Sequence, residues 1–192
     1  MNNIILASSS PRRRELLEKY HVGHKVVESK IIEKINFKDR PEQIAMTLAF
    51  NKAYYVSKGY KEDIVIGADT IVVFNNQILG KPKDELDAAR ILRLLSDREH
   101  VVITGISLIN LDKNIKIIDF EKTLVKFRKL DKNSINRYIN TKEPFDKAGA
   151  YGIQGYGALL VERINGCYNN VVGLPLVKLD HLLNKHFDIS IL

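Results

Sequence analysis

An apolar run, Ile4-Ile5-Leu6-Ala7, stops at Ser8-Ser9-Ser10-Pro11 and gives way at once to Arg12-Arg13-Arg14-Glu15-Leu16-Leu17. This punctuation predicts a buried strand over residues 4–7, a tight turn, and a short helix over residues 12–20. Ser10 suits the residue before the helix, where its hydroxyl can accept a backbone N–H. Pro11 suits the first helical position, where its missing donor costs nothing. The helix then begins with three cations, the wrong charge for its own dipole unless an anion offsets them. Free N–H groups, serine hydroxyls and arginines converging on a strand-to-helix turn make a phosphate site.

Helix phase separates the three arginines. Arg13 precedes Leu16 and Leu17 by three and four residues, so it shares their inward face. Arg12 falls on the shoulder and Arg14 faces away. A solvated basic turn is the plain alternative, and the serines beside it weigh against that.

Further along, strands are expected over residues 25–29, 64–68, 70–74, 77–79, 101–110, 116–129 and 158–164. Helices are expected over residues 41–58, with Asp39 as cap, and over 84–95, 134–139 and 175–186. Leu86, Ala89, Leu92 and Leu95 should share one face of the second of these. An Asn75-Asn76 turn and an Asp112-Lys113-Asn114 turn join neighbouring strands, and residues 151–156 read as irregular. Strands alternate with helices, while the later strands form long hairpins. The pattern predicts a mixed α/β fold: an elongated sheet flanked by helices packed in two lobes, within one domain over residues 1–192.

The chain has 192 residues and a formal charge of +7. The charge favours anionic partners. The lysines are spread along the chain, without the runs and interleaved aromatics of a nucleic-acid binder. No apolar run reaches the roughly 18–20 residues of a membrane span. The first apolar run is too short for a signal peptide, so a cytoplasmic location is expected. The single cysteine, Cys167, excludes an internal disulfide and a cysteine metal cluster.

Lys52 lies on the apolar stripe of the helix over 41–58, four residues after Leu48 and three before Tyr55. A lysine there either snorkels to the edge or reaches an anion. Asp69 interrupts two apolar β runs, and a carboxylate is costly to bury there without a cation or donors. It caps a bulge or turn, or it holds a divalent metal or orients water. Gly80-Lys81-Pro82 adds a cation on a constrained loop. Glu33, Glu143 and Asp146 read as loop acids. The glycine-rich stretch around Gln154 allows backbone close to a ligand, and the Gln154 amide offers a donor and an acceptor suited to a base edge. Tyr151 and Tyr156 stack or simply pack. There is no G-x-x-x-x-G-K-[ST] loop and no recognisable Ser/His or Cys/His pair. Cations and carboxylates without a nucleophile fit metal-assisted attack of water on a phosphoanhydride.

Seven blocks, in order, resemble the Maf family of nucleoside triphosphate pyrophosphatases over nearly the whole chain. They are Leu6-Ala-Ser-Ser-Ser-Pro-Arg-Arg-Arg-Glu-Leu-Leu17, Leu48-Ala-Phe-Asn-Lys-Ala53, Gly67-Ala-Asp-Thr-Ile-Val-Val73, Leu79-Gly-Lys-Pro82, Thr104-Gly-Ile-Ser-Leu108, Glu143-Pro-Phe-Asp-Lys-Ala-Gly-Ala-Tyr-Gly-Ile-Gln-Gly155 and Asn170-Val-Val-Gly-Leu-Pro175. The resemblance implies a fold like that of inosine triphosphate pyrophosphatases, with two lobes around a nucleotide cleft. It implies cleavage between the α- and β-phosphates and a divalent cation (Mg²⁺, Mn²⁺ or Co²⁺) on Asp69 and Glu33. Asp69 matches the catalytic acceptor and Glu33 a catalytic or metal-site carboxylate. Lys52 and Lys81 match catalytic triphosphate-site residues, with Ser8 and Arg13 binding the same group. Arg12, Thr70 and Gln154 match positions of base preference. The Tyr-Gly-Ile-Gln-Gly form is similar to the branch acting on dTTP and UTP.

The chain departs from the family pattern at Lys30 and Ile32, where acids often flank Glu33, and at Cys167, where serine is frequent. Cys167 reads as a small packing residue. The expected partner is a nucleoside triphosphate, with a homodimer as the oligomeric option and neither membrane nor nucleic acid expected. Two other readings compete: a pyrophosphatase for modified or non-standard nucleotides, and a nucleotide- or nucleic-acid-binding regulator of division.

Overall fold

The computed structural model describes residues 3–33, 36 and 39–192. In chain order the elements are β1 (Ile4–Leu6), α1 (Pro11–Lys19), β2 (His24–Val26), α2 (Pro41–Ser57), β3 (Ile64–Phe74), β4 (Gln77–Leu79), α3 (Glu85–Leu95), β5 (Glu99–Asn110), β6 (Ile115–Phe127), α4 (Lys132–Asn140), β7 (Val161–Asn165), α5 (Tyr168–Val172) and α6 (Leu176–Phe187). Short 3₁₀ turns occupy Glu143–Asp146, Ala148–Ala150 and Tyr156–Leu160. The strands form a mixed sheet in the order β2-β1-β3-β5-β6-β7, with β4 on β3. The fold is mixed α/β, a central sheet flanked by helices.

The chain divides into two compact units. The first comprises Met1–Asp69, Thr104–Glu121 and Gly173–Leu192; the second comprises Thr70–Ile103 and Lys122–Val172. In the first, β1 pairs in parallel with β2 and β3, Ile4 standing opposite His24 and Ile64. A short parallel strand flanked on both sides is apolar throughout, which explains the unbroken Ile4–Leu6 run. Helix α2 buries Ile44, Ala45, Leu48, Ala49, Ala53 and Val56. Its alanines face two glycines of the sheet. A Cβ on Gly105 would stand 2.2 Å from the Ala45 carbonyl oxygen, so no larger residue fits there.

In the second unit, β3 and β4 form a hairpin with Val72 opposite Leu79, and β6 pairs antiparallel with β7. Helices α3 and α4 contribute Leu92, Leu95, Ile135 and Ile139 to a core that also holds Phe127 and Tyr151. Asp84 caps α3 by accepting from the Asp87 N–H at 2.8 Å, and Asp131 caps α4 by accepting from Ser134 at 2.7 Å.

Several local expectations change. Strand β3 runs continuously through Asp69, with no turn there. Arg40, not Asp39, is the residue before α2, and its N–H donates to the Gln43 side chain at 3.2 Å. Leu86 is 82% exposed, because the buried stripe of α3 starts a half-turn later at Ala88 and Ala89. Residues 158–160 are 3₁₀, and the strand expected there begins at Val161. Helix α1 starts at Pro11, the first helical position expected of that proline, and ends at Lys19 instead of residue 20.

Candidate active site

Within the first unit, the turn after β1 is closed by Ser8. Its buried Oγ accepts from the Ser10 N–H at 3.2 Å and from Arg13 Nη1 at 3.1 Å. Ser10 occupies the cap position but makes no capping bond with its own side chain; the Ser8 hydroxyl does the tightening instead. Arg13 Nε donates to the Gly173 carbonyl at 2.7 Å. Gly173 has φ +125°, a region that favours glycine. Arg13 is buried, whereas Arg14 is exposed and lies 3.6 Å from Glu18. Arg12 is half-buried on the shoulder between them.

Burial lowers the Arg13 pKa from its ordinary value. The Asp69 charge works against that shift, Arg12 adds to it, and Glu33 also opposes it. A guanidinium remains charged throughout the physiological range regardless. Its buried charge therefore raises the potential around the turn.

Lys52 extends the buried stripe of α2, one turn beyond Leu48 and Ala49. Its ammonium pairs with the Asp69 carboxylate on β3 and with Glu33 Oε1 at 2.8 Å. The Lys52 and Asp69 side chains are each only 13% exposed. The pairing explains why β3 carries a carboxylate without breaking: the cation offsets its desolvation. Ser8, Arg13, Glu33, Lys52 and Asp69 thus form one polar group of two cations, two carboxylates and a hydroxyl in the first unit.

Among the described residues, no group of three or more His, Cys, Asp and Glu side chains is placed to hold a metal ion. Two carboxylates, one from Asp69 and one from Glu33, converge on the Lys52 ammonium. Mg²⁺-like ions take one or two carboxylates plus substrate phosphates and water, without an all-protein cage. Asp69 and Glu33 offer two such carboxylates, and in this structure both pair with the Lys52 ammonium. Lys30 and Ile32 contribute no acid to it.

The second unit carries the other expected residues. Thr70 follows Asp69 along β3 and is half-buried. Lys81 is exposed on the loop between β4 and α3. That loop is tied down by the Gly149 N–H, which donates to the Gly80 carbonyl at 3.1 Å. Gln154 is exposed on a turn. Tyr151 packs in the core, while Tyr156 is exposed.

Glu143, read from sequence as a loop acid, is instead a hub. Its Oε1 accepts from the Tyr138 hydroxyl at 2.9 Å and the Gly157 N–H at 3.1 Å, and its Oε2 from the Tyr156 N–H at 2.8 Å. The available signal was the spacing of Gly152, Gly155 and Gly157, which left room for a side chain against the backbone.

The sequence matches the family described as Maf-like protein over residues 3–186. The chain belongs to that family. This Maf chain is 54% identical to the dTTP/UTP pyrophosphatase of Clostridioides difficile over 189 residues, covering 98% of this chain and 97% of that one. It is also 54% identical to the dTTP/UTP pyrophosphatase of Alkaliphilus oremlandii over 193 residues, covering all of both. Among solved structures, the Maf chain matches a nucleoside-triphosphatase / dITP/XTP pyrophosphatase of Mycobacterium abscessus with a TM-score of 0.42 and 15% identity, over 67% of this chain and 75% of that one.

Proposed function

We infer that this Maf chain is a dTTP/UTP pyrophosphatase, hydrolysing either nucleotide to its monophosphate and pyrophosphate. The observation that carries the reading is 54% identity, along the full length of both chains, to proteins bearing that name. The polar group around Lys52 supplies the residues such chemistry requires.

In this reading the triphosphate binds at the Ser8–Arg13 turn. Arg13 is held in place by Ser8 and the Gly173 carbonyl, so its charge is fixed before substrate arrives. Preorganised charge of this kind stabilises the growing negative charge of the transition state without reorganisation. Lys52 fixes the Asp69 carboxylate through their ion pair. Asp69 takes a proton from water as the water oxygen bonds to phosphorus and the α–β phosphoanhydride bond breaks. A divalent cation held by Asp69 and Glu33 would supply Lewis-acid polarisation of the phosphoryl oxygens. The family resemblance gives Lys81 a role toward phosphate, and Arg12, Thr70 and Gln154 roles in base preference. A Gln154 amide matches the alternating acceptor and donor groups of a thymine or uracil edge.

Pyrophosphate release from dTTP, UTP, CTP, ATP and GTP, each with Mg²⁺, Mn²⁺ or Co²⁺, tests the reading. The expected result is a higher kcat/KM for dTTP and UTP than for the other three. Preference for a purine or for a modified nucleotide would overturn it.

A further inference from the structure

We propose that Glu143 and Tyr138 are positioning residues for base selection, fixing the turn that carries Gln154. The proposal rests on the reading of Gln154 as the group that contacts the base.

The bonds involved bracket that turn on both sides. On its N-terminal side, the Gly152 N–H donates to the Tyr138 hydroxyl at 3.2 Å. The same hydroxyl donates to Glu143 Oε1 at 2.9 Å. On the C-terminal side, the Tyr156 and Gly157 N–H groups donate to the two oxygens of the same carboxylate. A single carboxylate and a single phenol therefore hold backbone positions two before and two and three after Gln154. Bonds from N–H groups to an ionised carboxylate are the stronger kind.

The glycines record how closely these side chains approach. A Cβ on Gly155 would stand 2.2 Å from a Glu143 carboxylate oxygen, and one on Gly157 would stand 2.8 Å from the Tyr138 hydroxyl. Helix α4 holds Tyr138 with its ring buried. Lys147 ties the Glu143 segment to itself, donating to the Glu143 carbonyl at 2.8 Å and to the Asp146 carboxylate at 2.6 Å. Burial, then the Glu143 charge, pushes the Tyr138 pKa up, so the phenol keeps its proton as a donor. The Gln154 side chain is exposed, and its own packing does little to fix where its amide lies. The backbone beneath it is fixed instead. An amide that must match a base edge requires such support, because small misplacement costs much of its discrimination.

The test compares kcat/KM for dTTP with that for CTP. Glu143→Gln keeps size but replaces one acceptor oxygen by a donor, which faces an N–H or the phenol. It is expected to lower the dTTP:CTP ratio about tenfold, chiefly through KM for dTTP. Tyr138→Phe keeps the buried ring and should lower the ratio in the same direction; it decides the matter if Glu143→Gln does not fold. In a Gln154→Ala background, Glu143→Gln should change the ratio no further, because its effect passes through Gln154. If Gln154→Ala collapses the ratio but Glu143→Gln and Tyr138→Phe leave it within twofold of the unmodified enzyme, the positioning role is wrong and the base-reader role stands. If Gln154→Ala leaves the ratio intact, the base-reader role is wrong and the positioning role falls with it.

Discussion

The Ala49 carbonyl oxygen on α2 lies 2.3 Å from where a Cβ on Gly67 of β3 would sit. Contact this close brings Lys52, three residues after Ala49, into reach of Asp69, two residues after Gly67. The ion pair is therefore built by small residues elsewhere on the same two elements. Gly67→Ala should push α2 off the sheet. We expect a loss of about 2 kcal/mol or more in unfolding free energy, read from denaturant midpoints, together with a fall in turnover. A Gly67→Ala protein as stable as the parent would show that α2 does not rest on β3 through this contact.

Arg13 and Arg14 are adjacent but differ in surroundings: one is buried against Ser8 and Gly173, the other exposed beside Glu18. Arg13→Ala should lower kcat/KM for dTTP at least tenfold, or about 1.4 kcal/mol. Arg14→Ala should stay within about twofold, as befits an exposed ion pair. Arg13→Lys retains charge but not the rigid fork that spans a hydroxyl and a carbonyl, so it should recover only part of the loss. Equal losses in Arg13→Ala and Arg14→Ala would remove the basis for assigning the phosphate site to the inner face.

Helix phase made Arg13 legible, because a residue three and four before two buried leucines must share their face. Lys52 was legible for the same reason, although the stripe passes through Val56 while Tyr55 is 45% exposed. Asp69 stands out as an isolated charge among apolar residues, while the local pattern splits into two strands what is one, β3. That continuity depends on a cation supplied from another element, which local pattern does not carry. The glycine spacing leaves room beside the backbone but does not name Glu143 as the side chain that fills it, for a related reason. Two of its three donors are backbone N–H groups 13 and 14 residues away, and backbone donors have no residue-type signature. Leu86 misled because its spacing matches the stripe while its place in the first turn of α3 leaves it in solvent.

Asp69→Asn preserves shape and removes the proton acceptor. The amide can still face the Lys52 ammonium through its oxygen, so the fold should survive. Turnover should fall about a hundredfold or more, in keeping with the loss of a general base, while nucleotide affinity falls less. Single-turnover pyrophosphate release and equilibrium binding of dTTP separate the two effects. A folded Asp69→Asn protein that releases pyrophosphate at near-normal rate would exclude Asp69 from the chemical step.

His100 provides a prediction about stability and pH. Its imidazole is buried in the second unit, edge-on to Phe127 and Tyr151, with Nε2 bonded to the Tyr151 hydroxyl at 2.9 Å. Among the described residues, Nδ1 has no hydrogen-bond partner. Burial pushes its pKa down from 6.5 to about 4, so the folded protein holds it neutral. As pH falls from about 6.5 toward 4, the unfolded chain takes up a proton that the folded chain refuses. Stability from this group is therefore complete above the unfolded value, declines as pH falls, and stops declining once the folded imidazole also titrates. The total is roughly 3 kcal/mol for a shift of that size. His100→Gln keeps a polar group against Tyr151 but cannot titrate, and its stability should fall less between pH 7 and pH 4.5. Urea midpoints at several pH values in that interval, with m unchanged, measure the difference. Parallel pH profiles for the two proteins would show that His100 titrates in the fold as it does in the unfolded chain, and so is not desolvated there.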